Sequence, residues 1–421
     1  MFAGGGTAGH LFPGLAVARH LTAQVPDLQI TFAGSGRAFE RREVEAAGMD
    51  YLPLRCRPLP RRFRDVIPFL ADNWAGLWAA DRFLRTHRVR IVVGLGGYAS
   101  VLMARAAIRR RVPLVLLEQN VVPGRATRYL ARAATLICTS FPETARFLTG
   151  VRCPVCVTGN PIRPGLARCA AMHDTAPRSI LSCNQHSKAQ GLQPLGFKRP
   201  QRQLVILGGS GGAQTLNETM PRVLDRLRSV LPGWRIVHQA GDRSFQRTRE
   251  LYRMFRIEAT VVPFISETPG ASGQTGMSSL LGQTGMSGLL AESDLAVCRA
   301  GGTTLAELAA AAVPAILLPY PHAADDHQRK NAEVFAAAGG CLMIDQRECP
   351  DSLDRRLADA IGGLAADPAK RTAMAAAVHR LARPNAARDV AERILEIAGR
   401  VPLPRGKQWH TIGGSVDKSA A

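Results

Sequence analysis

One histidine, one carboxylate and two glycine turns carry most of the chemistry legible in this chain. His10 stands in the stretch Gly4-Gly5-Gly6-Thr7-Ala8-Gly9-His10-Leu11-Phe12-Pro13. Glycine turns let a ligand come close to the backbone, and a neutral imidazole beside one can take a proton near neutral pH. His10 is therefore the candidate general base. The plain alternative is a structural histidine that hydrogen-bonds the turn. A second turn, residues 208–213 (GGSGGA), follows the apolar run LVIL and suits an anion at a helix start. Residues 299–307 (RAGGTTLAE) follow a strand and open a helix, where Glu307 could accept two ribose hydroxyls. A capped helix with Glu307 in its first turns would look the same. Residues 319–331 (PYPHAADDHQRKN) are dense in polar groups directly after a strand. His322, Asp325, Asp326 and His327 could be drawn as a metal site, but Gln328 and Asn331 also fit sugar hydroxyls at a helix start.

Neither turn fits a dinucleotide or ATP site. Gly4-x-Gly6-x-x-Gly9 has the dinucleotide spacing, but no acidic residue ends a second strand about twenty residues on. Phe32-Ala33-Gly34-Ser35-Gly36 stands there instead. The second turn lacks the Lys-Ser/Thr of a P-loop. NAD and ATP are thus disfavoured, and no cofactor or metal is called for.

The net charge is +21, and 48 of the 54 basic residues are arginine. Such a chain attracts anions: nucleotides, anionic lipid or nucleic acid. Aromatic residues are sparse and no nucleic-acid motif is present, so nucleic acid is not the expected partner. Of the nine cysteines only Cys153 and Cys156 are close, with no partner pair at zinc spacing, which reads as free thiols in a reducing cytosol. No signal peptide and no clean bilayer-spanning run is legible.

The elements that must hold these groups are apolar strands alternating with helices. Residues 30–33, 90–94, 114–117 and 135–139 read as strands, and 13–23 as an amphipathic helix. A second series begins at Leu204 and includes 235–238, 259–262, 295–298 and 315–318. Continuous apolar strands between helices imply parallel sheets covered on both faces. Two such α/β domains facing one cleft account for two glycine turns about two hundred residues apart. Residues 1–162 read as the first domain, 163–203 as a linker or insertion, and 204–384 as the second domain. Residues 385–400 read as a C-terminal helix packing back on the first domain, and 401–421 as a disordered tail. Residues 166–202 lack periodicity and read as mostly irregular. A nonapeptide occurs twice in tandem, at 273–281 and 282–290, and reads as a duplicated surface loop.

The ordered motifs GGGTAGHLFPGLAVA, GLGGY, LEQN, TGNPIR, GGSGGAQTLN, CRAGGTTLAEL and PYPHAADDHQRKNA resemble the GT-B glycosyltransferases. Within them they resemble the bacterial N-acetylglucosaminyltransferases that act on undecaprenyl-pyrophosphoryl-N-acetylmuramyl-pentapeptide, lipid I, to make lipid II of peptidoglycan synthesis. The resemblance spans residues 3–398. It implies two Rossmann-like domains, the first for the acceptor and the membrane, the second for UDP-GlcNAc. It implies that Thr7, Ala8, Gly9 and Asn120 lie near the donor sugar and that Arg163 and Ser210 meet the diphosphate. Ile265 and the segment Gly302, Thr303, Thr304, Leu305, Ala306 and Glu307 would hold uridine and ribose, and Gln328 would read the GlcNAc hydroxyls. The implied reaction is inverting and needs no metal.

Several positions depart from the family pattern: Ala8 replaces a glycine, Leu117 a histidine, and Gly211 a glutamine. The implied acceptor is a membrane lipid. Arg61, Arg62, Phe63 and Arg64, followed by Ile67, Leu70, Trp74 and Trp78, suit peripheral docking on the anionic cytoplasmic leaflet. A solvated arginine loop before an ordinary core helix is the plain alternative. Other cell-wall synthesis and division proteins are further partners that the family setting implies. The competing functions are another GT-B UDP-sugar transferase, a UDP-GlcNAc epimerase on the same fold, or a UDP-sugar-binding protein without activity.

Overall fold

The structure is a computed structural model and describes residues 1–60, 62–175, 202–209, 211–265 and 281–400. Arg61, Ser210, residues 176–201, residues 266–280 with the first copy of the nonapeptide up to residue 280, and the tail 401–421 lie outside the described residues.

The first half alternates β1 (Phe2–Gly4), α1 (Ala8–Gln24), β2 (Thr31–Gly34), α2 (Ala38–Ala46), β3 (Asp50–Pro53), α3 (Val66–Thr86) and β4 (Val92–Gly96). It continues through α4 (Tyr98–Arg109), β5 (Leu114–Glu118), α5 (Arg125–Leu130), β6 (Leu136–Thr139) and β7 (Val155–Val157). The second half runs α6 (Pro164–Thr175), β8 (Gln203–Leu207), α7 (Gln214–Arg226), β9 (Arg235–Gln239), α8 (Phe245–Met254) and β10 (Thr260–Val262). Then follow α9 (Leu281–Ala291), β11 (Leu295–Cys298), α10 (Gly302–Ala310), β12 (Ala315–Leu317), α11 (His327–Ala337) and β13 (Cys341–Met343). The last three helices among the described residues are α12 (Leu353–Ala366), α13 (Pro368–His379) and α14 (Ala386–Arg400).

Both sheets are parallel, with strand orders β3-β2-β1-β4-β5-β6-β7 and β10-β9-β8-β11-β12-β13. The fold is thus two Rossmann-like domains. Strands β5, β6, β8 and β11 are buried along their whole length, as strands covered on both faces must be. Phe2 of β1 lies opposite Phe32 of β2 and Val93 of β4, and the Phe2 and Phe32 rings stack at 4.9 Å. In the second sheet Leu204 of β8 lies opposite Leu295 of β11. Strand order reverses between β1 and β4 and again between β8 and β11. A crevice opens beyond the carboxyl ends of the strands at such a reversal. The motif-bearing turns follow these four strands.

Helix α1 differs from the amphipathic helix expected over 13–23. It starts at Ala8 and is buried continuously from Leu11 to Ala18. Its neighbours explain this: it packs on β4, on α14 and, from the other domain, on α10. Burying Leu11, Phe12, Leu15, Val17 and Leu21 contributes about 2 kcal/mol each. Ala387, Val390, Ala391 and Ile394 form the apolar stripe of α14 and join the same core. Arg90 Nη2 donates to the Ala398 carbonyl at 2.7 Å.

Two readings are corrected. Residues 164–175 are helical rather than irregular, because Leu166 and Ala170, one helical turn apart, are buried in a core shared with β8, β11 and α10. The second nonapeptide copy is not a surface loop. It lies in α9, where Met286, Leu289 and Leu290 are buried in that core and Gly285 interrupts the helix with φ of +58°. Among the described residues, no helix is long and apolar enough to cross a membrane.

Candidate active site

His10 sits in the first turn of α1, and Thr7 stands at its N-cap position, where its carbonyl accepts from His10 N and Leu11 N. Thr7 Oγ1 lies 3.1 Å from His10 Nδ1. The imidazole Nε2 lies beside Gly96, where a Cβ would come within 3.1 Å of it. Gly96 has φ of +99°, so backbone geometry and ring clearance both call for glycine there. A Cβ on Gly97 would crowd the Gly5 carbonyl at 2.8 Å. The GLGGY motif thus nests against the first glycine turn. Burial lowers the His10 pKa from its ordinary value; Glu118 and a hydrogen bond to the Gly5 backbone pull it back up, and His327 lowers it further. The net direction favours the neutral ring, the state a base needs.

Pro13 has a direct consequence for this turn. A helix residue at position 13 would normally donate its N–H to the Gly9 carbonyl, and proline has none to give. Thr303 Oγ1, from the start of α10, donates to Gly9 O at 2.8 Å instead. Asn160 Nδ2 donates to the same hydroxyl at 3.1 Å. Gly302 packs so closely on the Gln119 carbonyl that a Cβ would overlap it. The two crevices therefore face each other, with α10 docked on the turns after β1 and β5.

Asn120 is held from two sides. Buried Glu118 accepts from its N–H and its Nδ2 at 3.1 Å each, and also from Gly124 N at 3.0 Å and Thr127 Oγ1 at 2.6 Å. From α11, fully buried Asn331 donates Nδ2 to Asn120 Oδ1 at 3.0 Å and to Ala300 O at 3.1 Å. Its Oδ1 accepts from Val121 N at 2.9 Å. Gln328 Oε1 accepts from Tyr320 N at 3.0 Å.

Arg163 and Glu307 form a buried ion pair with each other, and the guanidinium lies 4.0 Å above the Phe12 ring. Of the other donor-segment residues, Thr303 and Leu305 are buried and Thr304 and Ala306 half-buried. The Ile265 side chain is buried in the core with Leu305 and Leu308, which leaves its backbone as the part a base could meet. Gly211 is exposed, and a Cβ there would meet nothing within 4 Å. Three of the four residues drawn as a possible metal site are otherwise engaged: Asp325 pairs with Arg128, Asp326 with Arg347, and His327 Nδ1 lies 2.7 Å from the Ala324 carbonyl. Among the described residues no three His, Cys, Asp or Glu side chains gather as metal ligands. Arg62, Phe63 and Arg64, just before α3, and Trp74, in its third turn, are all exposed.

Residues 1–139 match the Glycosyltransferase family 28 N-terminal domain, and residues 203–274 with 283–394 match its C-terminal domain. The chain belongs to glycosyltransferase family 28. The unmatched stretch 275–282 falls within the tandem repeat. A relative from Pelobacter propionicus is 35% identical over 400 residues, covering 94% of this chain and 98% of its own. One from Alkalilimnicola ehrlichii is 37% identical over 397 residues, covering 94% and 97%. Both are named UDP-N-acetylglucosamine–N-acetylmuramyl-(pentapeptide) pyrophosphoryl-undecaprenol N-acetylglucosamine transferase. The crystal structure of Acinetobacter baumannii MurG is similar with a TM-score of 0.64 at 26% identity, covering 94% of this chain and 99% of that one. As a family 28 member the chain is a glycosyltransferase of GT-B architecture.

Motif reading named His10, Thr7, Asn120, Arg163 and the Gly302–Glu307 segment as candidate site residues. It missed Glu118 and Asn331 as the groups that orient Asn120, and Pro13 as the residue that frees Gly9 O. The EQN and KNA runs held the first two in plain view, but only the fold pairs them.

Proposed function

We propose that this family 28 enzyme moves N-acetylglucosamine from UDP-GlcNAc to the 4-hydroxyl of lipid-linked N-acetylmuramyl-pentapeptide, with inversion, to give lipid II. The names of the near-full-length relatives support the two substrates. The observation that carries the chemistry is the place of His10, held by Thr7 on a turn joined by Gly9 to Thr303 of the facing domain. The acceptor oxygen forms a bond to the anomeric carbon as that carbon's bond to UDP breaks. The hydroxyl proton passes to His10, and UDP leaves with the bonding pair. Charge grows on the departing diphosphate, where the helix starts of α7 and α10, Arg163 and Ser210 would stabilise it. Asn120 and Gln328 would hold the donor sugar, and Glu307 the ribose. Product NMR tests this: a β-linked GlcNAc from the α-linked donor is expected, and an α-linkage contradicts single displacement.

The protein docks peripherally on an anionic leaflet through α3. Phe63 is 98% exposed, and Ile67, Leu70, Trp74 and Trp78 are 77%, 60%, 72% and 58% exposed, far more than a soluble helix face requires. The four α3 residues fall on one stripe, while Gly76, Ala80 and Leu84 are buried on the side facing the domain. Exposed Arg62 and Arg64 flank the stripe and complement anionic headgroups.

A further inference from the structure

Glu40 is a fully buried carboxylate that the proposed mechanism leaves unused. It lies near the start of α2 and collects four donors. Oε1 accepts from the Gly6 N–H and from Ser35 Oγ at 2.8 Å. Oε2 accepts from Ser35 N at 2.8 Å and from Tyr51 OH at 2.6 Å. Room for the carboxylate comes from Gly5 and Gly34, where a Cβ would overlap it. Burial, with the hydrogen bond to Glu40 second, pushes the Tyr51 hydroxyl far above its ordinary range, so it stays a donor. Arg37 donates to the Gly6 carbonyl. The peptide groups on both sides of Gly6 are thus clamped, N–H by Glu40 and C=O by Arg37. The next residue is Thr7, at the N-cap position of α1, whose Oγ1 lies 3.1 Å from His10 Nδ1.

We infer that Glu40 is the positioning residue of the first glycine turn and, through Thr7, fixes the place of His10 against the acceptor hydroxyl. The inference rests on His10 acting as the base. A carboxylate is suited to the task because four donors converge on its two oxygens, whereas an amide has one accepting oxygen. The groups that face His10 are Glu118 at the end of β5, His327 at the start of α11 and the Gly5 backbone, and a loosened turn alters its distance from all three.

The test compares Glu40→Gln with His10→Ala and the milder Tyr51→Phe in the full-length protein. Glu40→Gln is expected to speed amide hydrogen exchange across residues 3–9 and to lower kcat about 10-fold or more, with UDP-GlcNAc Kd within about 2-fold. The acid limb of its kcat profile is expected to move up toward 6.5 as the imidazole loses burial. Tyr51→Phe, which leaves the Gly6 contact, is expected to shift the same readouts less. Unchanged exchange, or faster exchange with kcat and the acid limb unmoved, overturns the inference. A His10→Ala enzyme with near-normal turnover overturns the base instead, and the exchange data still decide whether Glu40 holds the turn.

Discussion

Arg163 and Glu307 are bound to each other inside the protein, with side chains 6% and 5% exposed. The family resemblance assigns one to the donor's diphosphate and the other to its ribose. Their pairing keeps each charge neutralised and each side chain in place before the donor arrives. Removing one member of a buried pair costs about 3–5 kcal/mol, because the other charge stays behind. Glu307→Ala should therefore lower Tm and weaken UDP-GlcNAc binding about 10-fold or more. Calorimetric titration with a parallel melting curve checks both, and unchanged affinity would remove Glu307 from the donor site.

His10→Ala should leave donor affinity within about 2-fold and lower kcat by about 10²–10⁴. The wild-type pH profile follows from burial of the ring. The folded-state pKa lies below 6.5, so the base is unprotonated at neutral pH and kcat falls only as pH drops below that value. A limb at or above 6.5 in kcat would show that the ring is not desolvated as described.

Pro13 and Thr303 should be coupled although they lie in different domains. Pro13→Ala restores an N–H that competes with Thr303 for Gly9 O. Thr303→Val removes the same hydrogen bond, worth about 1 kcal/mol, from the other side. Each single change should lower kcat a few-fold, and the double change should cost less than the sum. Additive effects in a double-mutant cycle would mean that the proline does not act through Gly9.

Trp74→Glu should reduce binding to anionic vesicles sharply and at all salt concentrations, since the apolar anchor is lost. Replacing Arg62 and Arg64 should cost about 1 kcal/mol each at low salt and little at high salt. Vesicle co-sedimentation across a salt series separates the two. Binding indifferent to Trp74 would leave the exposed stripe of α3 without a membrane role.

Much of the fold was legible because buried parallel strands announce themselves as unbroken apolar runs: LVLL, LICT, LVIL and LAVC all became strands. Strands not read from the sequence include the edge strand β3, whose short DYLP run is at best half-buried, and three-residue β7 and β13, too short to show a pattern. In α6 the signal existed: Leu166 and Ala170 have helical spacing, but polar residues and cysteine around them masked it. The site was legible where one motif carries both residue and turn, as with His10. It was opaque where function depends on contact between distant segments. Asn331 reaches Asn120 across 211 residues of sequence, and no local pattern reports that.

The most direct test is transfer itself. Purified protein, radiolabelled UDP-GlcNAc and a lipid-linked muramyl-pentapeptide acceptor are incubated together, and lipid-extractable label and UDP are followed. Label in the lipid that depends on the acceptor, with one UDP released for each GlcNAc transferred, is the expected result. Firm UDP-GlcNAc binding without label in the lipid, or UDP release that ignores the acceptor, would contradict the proposed reaction.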